Sequence, residues 1–512
     1  MKKILASLML VCVMVSTLFA TAVSVSAEVS DTVVMTVSGM TENGSKILTE
    51  HYYNFESAWN DAARYAKDHE WMQQNGVICI VVDLQADWIA EKGKFGKDNV
   101  GFKENTIYIP ENTKMMINMQ GHTIDRGLTK AEDHGEVIFM GKNSTLIING
   151  GYIDDEIVEL GADPGDTKMG TITGGYSDSG AGGIHLDGYN NLVLKNVHVV
   201  GNGTKGERGA AIALFNDSTL TMNGGSISKN HLHSYEVPLI GVWIPRGSLF
   251  VKDSSATLNN VELCDNYFVD VFFDEARGLV IYATKNSDVT MEDCLVSGNG
   301  AKGSDVEEVI CAYNSTLDIT DTDFIDNKTI QNTDSEYSTR LLYLVNSEVY
   351  LTGGKITGNT PEVLFNINRS HVEMRAVTIT DNASWVMCVD NEEGQAVKMI
   401  NCTLNNNEYT GKKHSEESVD IKVVKKNILE IDGGDLGDTT FNDKSMVSGI
   451  GAGSIFGAGS LTMVISLLAL VASIGSICIC FALYNFYKKK VVPAVASAAV
   501  EATDDEDEED EE

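Results

Sequence analysis

His231 and His233 form an H-x-H pair, which on a strand sets two imidazoles on one face. Zinc needs a third ligand beside such a pair, and none stands at metal spacing from it, so no metal site is expected there. Asp321, Asp323 and Asp326 lie close together, as do Asp154, Asp155 and Glu156. Hard cations take six or more oxygens, so Ca2+ at Asp321, Asp323 and Asp326 is the one cation these carboxylates would serve. The segment matches no EF-hand loop; solvated carboxylates on an outer face are the plainer reading, and no cofactor is expected. Tyr235, Trp243 and Arg246, with Pro238 and Pro245 among them, make an aromatic and cationic group. Ring faces stack on sugars and a guanidinium grips a carboxylate with two bonds, so these three are the expected ligand-binding residues, with a glycan as ligand. No G-x-S-x-G elbow, H-E-x-x-H pair or phosphate-cradling loop occurs, and no catalytic residue is assigned.

The charge balance narrows the partners. Lys and Arg total 38 against 73 Asp and Glu, for a net charge of −35. A surface that acidic repels phosphate, so nucleic acid is excluded as an expected partner. With 43% hydrophobic residues the chain can bury a large core, which excludes disorder throughout.

Both ends read as addresses rather than domains. Lys2 and Lys3, the apolar stretch that follows and the small residues at Val25 to Ala27 predict a signal peptide over 1–27. Residues 461–487 are an uncharged apolar run, long enough for one membrane-spanning helix, and Lys488, Lys489 and Lys490 follow it directly. The expected topology is therefore a cell-membrane protein, single-pass, with its N-terminal region extracellular. Residues 446–460 read as a flexible stalk, and 488–512 as a cytoplasmic acidic tail. Of the nine cysteines, Cys79, Cys264, Cys294, Cys311, Cys388 and Cys402 lie between the two addresses. They are too sparse for a disulfide scaffold and read mainly as small buried hydrophobes, with one or two bridges allowed for.

What must position any site is a repeat. An apolar pair spaced by two, a turn, and a third apolar residue recur eleven times, starting at Ile117, Leu146, Leu192, Leu220, Ala256, Val289, Leu317, Val349, Val372, Val397 and Leu429. The third position falls seven residues on, from Ile124 and Ile153 to Leu404 and Leu436. All 33 positions are apolar. The turn is Gly, Asn or Asp in ten copies and Ala376 in one, which predicts a recurring left-handed corner. Eight copies end on Asn: Asn202, Asn230, Asn266, Asn299, Asn327, Asn359, Asn382 and Asn407. Stacked amides can bond up and down a ladder while each satisfies its own turn. A further strand is expected eight residues upstream, at Ile138, Ile184, Ile212, Ile281, Val309, Leu341, Leu364 and Val389. One such coil has no core of its own, and stacking coils supplies one.

Residues 28–110 depart from the repeat. Phe55, Trp59, Ala62, Ala63 and Ala66 recur at helical spacing before a strand over 76–83, predicting an N-terminal cap whose helix covers the open end of the stack. The irregular segment 156–180 is expected to project as an insertion.

The units Ser218 to Asn230 and Ser347 to Asn359 resemble repeats of the right-handed parallel β-helix, or pectin-lyase-like, superfamily, and also those of surface proteins and adhesins. The resemblance covers about residues 100–440. It implies an all-β solenoid of about eleven coils over 111–445, and little about activity, since the superfamily includes lyases, hydrolases, tailspikes and binding proteins. Of the hydrolase signature only Asn332, Thr333, Asp334 is present; no Asp-Asp follows before the acidic tail, and Gly-His-Gly and Arg-Ile-Lys are absent. Val242 to Arg246 echoes a lyase signature without its Asp-His pair. The leading expectation is a non-catalytic, membrane-anchored surface rod binding an extracellular polysaccharide or cell-surface glycan. The alternatives are a tethered lyase or hydrolase of uronate polymers, and a structural spacer.

Overall fold

A computed structural model describes residues 32–151, 168–206, 208–233, 244–269, 276–300, 308–328, 339–391, 395–408, 420–424, 429–442 and 447–448. The expected signal peptide, membrane-spanning run and acidic tail lie outside these residues, as do Ile153, Tyr235 and Trp243. Among the described residues no helix is long and apolar enough to cross a membrane.

The described chain is almost entirely β, with two helices, and its strands pair mainly in parallel along two long walls. On the longer wall the predicted first positions meet one another without a break, from Leu146 opposite Leu192 and Leu192 opposite Leu220 to Val372 opposite Val397 and Val397 opposite Leu429. Each is buried, which is the reason for the repeat: alternate side chains of every strand fill one continuous interior.

Three registers differ from the expectation. In the first copy Leu146 and Ile148 face Met115 and Ile117, not Ile117 and Met119. The corner at Gln120 and Gly121 holds two more residues than later corners, so a fixed interval counted back from Ile124 selects the wrong pair. In the second copy the residue joining Ile124 and Val199 is Ile172, not Ile153. The insertion therefore interrupts a coil, and Gly170–Thr173 and Tyr176–Ser177 return to the walls rather than project. On the second wall Ile281 is followed by Ile310, Leu342, Phe365 and Met387, not by Val309, Leu341, Leu364 and Val389. The corner after Ile310, Leu342 and Phe365 is one residue shorter, which a constant interval of eight cannot follow.

The corner between the two strands of the longer wall is left-handed in every copy except at Gly150. Ala376 takes φ 53° although nothing in its side chain favours it, so stacking overrides local preference there. The asparagines form the ladder the repeat predicts. Each side-chain amide donates to the Oδ1 of the next, from Asn202 on Asn230 at 3.3 Å to Asn382 on Asn407 at 2.8 Å. A second polar ladder, absent from the expectation, runs at the opposite corner through Ser144, Asn190, Ser218 and Ser254, and again through Ser315, Ser347, Ser370 and Asn391. Its signal was Ser or Asn two residues before the first apolar position in every member but Asn391, which lies six before Val397. The six cysteines among the described residues are free.

The N-terminal segment carries the two helices and extends the stack. Helix α1 (Phe55–Lys67) starts at Asn54, whose side chain accepts from Ser57 N, and buries Ala58, Trp59, Ala62, Ala63 and Ala66. Helix α2 (His69–Gln74) leads into the strand Val77–Leu84, which already pairs in parallel with Lys114–Asn118. The parallel ladder thus begins inside the region expected to be cap. On its outer side an antiparallel hairpin, Met35–Thr41 and Lys46–Tyr52, closes the sheet with a charged, exposed edge.

Candidate functional site

Phe139 lies between the buried Ile138 and Met140, so its ring faces outward from the second wall. Successive strands bring further rings over it. Tyr108 and Phe139 are 5.9 Å apart between centroids, Phe139 and His185 5.1 Å, His185 and Phe215 5.5 Å, Phe215 and Phe250 5.4 Å, and Phe250 and Tyr282 5.6 Å. The six strands that carry this ladder span about 24 Å of the rod. Ring faces are consumed by neighbouring rings and His185 and Phe250 are buried, so the ladder shows the outside only the edges of Tyr108, Phe139, Phe215 and Tyr282 and the cations held on it. Lys103 lies 5.7 and 5.3 Å from the Tyr108 and Phe139 centroids, and Arg208 and Lys252 lie 4.7 and 5.9 Å from that of Phe215. Glu111 and Asp187 are the acids beside Tyr108.

A polar network runs from the buried His185 and Glu136 of the second wall out to the half-buried His134 and the exposed Glu104. Arg208 donates to Nε2 of His185 at 3.1 Å, which assigns the proton of the neutral ring to Nδ1. That Nδ1 and Oε2 of Glu136 each lie 3.3 Å from where a β-carbon on Gly180 would stand, with Ser177 Oγ at 3.1 Å. The other Glu136 oxygen is 3.5 Å from Nδ1 of His134, whose Nε2 reaches Glu104 at 2.9 Å. The bond to Glu136 holds His134 above the usual imidazole range, whereas burial pushes His185 down to about 4.

Across the corner, on a short third wall, Tyr176 packs on His231 and His233, whose Nδ1 and Nε2 are 2.8 Å apart. Burial pushes both imidazoles down to about 4, with the charge of a neighbouring His, Lys205 or Arg246 adding to it. They are neutral hydrogen-bonding groups near neutral pH. Arg246, expected to contact ligand, is fully buried here and donates through Nη1 to the His233 carbonyl. It supports the histidine pair from below, and its proposed companions Tyr235 and Trp243 lie outside the described residues.

The acidic trio does not converge. Asp321 and Asp326 occupy exposed left-handed corners at φ 45° and 54°, and Asp323 accepts the Lys355 backbone N–H at 2.8 Å. Among the described residues no three His, Cys, Asp or Glu side chains are placed to hold a metal ion. The ring ladder was missed in the sequence because its outward column holds Tyr, Phe, His and, at Ala213, no ring at all, so no residue type repeats along it.

His185, His231 and His233 have folded values near 4 against an unperturbed 6.5. The unfolded chain therefore binds more protons between those values, and stability should rise with pH across the window and be lost as pH falls through it. His185→Phe keeps a ring in the ladder and removes one titrating group. Its melting temperature should fall less steeply than that of the parent on acidification from about pH 7 to about pH 4; parallel curves would refute the assignment.

Residues 96–308 match the family model described as right handed beta helix region. No curated protein and no solved structure matches the chain. The family match and the parallel walls together fit the parallel β-helix superfamily.

Proposed function

Taking the parallel β-helix as premise, we propose that the chain is a non-catalytic surface rod that binds an acidic polysaccharide along the outer face of its second wall. The observation that supports this most is the placing of Lys103, Arg208 and Lys252 on one ring ladder in a chain of net charge −35. A polyanion is repelled by the rest of the surface and attracted there, which orients it along the rod. The rings hold the cations in place, and the neutral imidazoles of the neighbouring wall offer hydrogen bonds to hydroxyls. Export by residues 1–27 and retention by a membrane helix over 461–487 are part of the same reading, and they put the rod where such polymers occur.

The test is binding of the full-length protein to polygalacturonate and to neutral dextran. Polygalacturonate should bind and dextran should not. Lys103→Glu, Arg208→Glu and Lys252→Glu together should weaken binding about tenfold or more with the fold intact, and binding should weaken with salt. Equal binding of both polymers, or an unaffected triple variant, would overturn the proposal. Release of unsaturated or reducing ends from the polymer would replace binding with catalysis.

A further inference from the structure

A second, unrelated site lies at the capped end of the rod. Residues of the N-terminal cap enclose a cavity of about 460 Å³, a size that suits a small ligand. Its apolar lining includes Phe55, Trp88 and Phe95. Phe55 and Trp88 are stacked 5.4 Å apart with planes 8° from parallel, and Phe95 meets Trp88 edge-on at 5.2 Å. Trp88 is further wedged against Trp59 and Phe102, so this wall is rigid. Ile89, 64% exposed, adds apolar surface at the mouth.

The rim carries charge. Lys92, Lys94 and Lys97 line the cavity, all exposed, and among the described residues none of the three makes an ion pair. Three cations left without counter-ions within six residues are unusual in a chain with nearly twice as many acids as bases. The N-terminus of α1, a 13-residue helix, opens on the same cavity through Asn54, Phe55 and Glu56, adding its positive end to the lysines. Glu56 and Glu91 are the acids of the rim. Glu56 is engaged by the Lys97 backbone N–H at 3.1 Å, and the backbone of Glu91 pairs with that of Lys94 in the turn that presents the lysines.

We infer that this cavity binds a sugar ring carrying an anionic substituent, with the ring against the outer side of Phe55, which the buried Trp88 backs, and the anion among Lys92, Lys94, Lys97 and the start of α1. An apolar ring face recognises the CH face of a sugar, and unpaired ammonium groups recognise a carboxylate or a phosphate. The inference stands apart from the polymer-binding reading: it uses other residues, on another part of the rod.

Calorimetric titration of the full-length protein with glucuronate, glucose 6-phosphate and glucose tests it. At least one of the two acids should bind, glucose about tenfold more weakly or not at all, and the better acid reports whether the anion is carboxylate or phosphate. The exposed triple change Lys92→Gln, Lys94→Gln and Lys97→Gln should weaken that binding about tenfold while circular dichroism stays unchanged. The triple charge reversal at Lys103, Arg208 and Lys252 should leave it intact, which separates failure here from failure of the ladder. Binding of neither acid, equal binding of glucose, or a Lys triple variant that binds like the parent would overturn the inference.

Discussion

Asn327→Asp should lower unfolding stability by about 3–5 kcal/mol at neutral pH and recover part of that loss on acidification. Asn327 is fully buried. Its amide nitrogen donates to Val296 O and to Asn359 Oδ1, both at 2.9 Å, while its Oδ1 accepts from the backbone N–H and the side chain of Asn299. An aspartate keeps the accepting oxygen and turns the other towards two acceptors. Only the protonated acid can donate to either of them, so its pKa must rise in the folded state. With the folded value above the unfolded one, the folded chain binds the extra proton, and stability falls as pH rises between the two values. Asn327→Leu should cost a similar amount without that pH dependence. Urea unfolding of both variants at neutral and at acidic pH checks the expectation, and a loss below about 1 kcal/mol would show that the ladder contributes little.

Arg126→Met should separate the cap from the rod at a cost of about 3–4 kcal/mol. The guanidinium is fully buried and donates to Gly93 O at 3.2 Å, Thr106 Oγ1 at 2.6 Å, His134 O at 2.6 Å and the Glu136 carbonyl. It thereby joins the lysine-bearing turn, the start of the second wall and the strand under the ring ladder. Burial pulls its pKa below the usual arginine range, offset by Glu136 and Glu132, a sign that the charge is retained through these bonds. Methionine fills the space and leaves buried carbonyls unmet. The expected result is earlier melting of the cap than of the coils, seen as early hydrogen exchange over residues 77–136. Arg126→Lys should restore only a fraction, because one ammonium cannot reach all four acceptors. Uniform melting with an unchanged midpoint would count against the role.

The first helix and the solenoid were legible in the sequence for the same reason. A buried face must be apolar at the period of its element, so Phe55 to Ala66 and Leu192 to Leu429 declared a helix and a parallel ladder by spacing alone. The asparagine ladder was legible too, because a buried amide has few ways to be satisfied and stacking is one of them. The corners escaped. Gln120, Ser177 and Tyr313 lie where coils gain or lose residues, and the register there follows whichever side chain best fills the interior, not a constant count.

The sites depended on that register. Tyr108, Phe139, His185, Phe215, Phe250 and Tyr282 share no residue type, and Lys92, Lys94 and Lys97 look in isolation like an ordinary solvated turn. Only the stacking of strands placed five of the rings in one column with Phe215 beside it, and only the packing of α1 against Trp88 put a cavity behind the three lysines. Composition and periodicity determine which residues must be inside, since burial acts on each residue through its own element. Which outward side chains become neighbours is a property of the distances between elements, and that was decided by the tertiary structure.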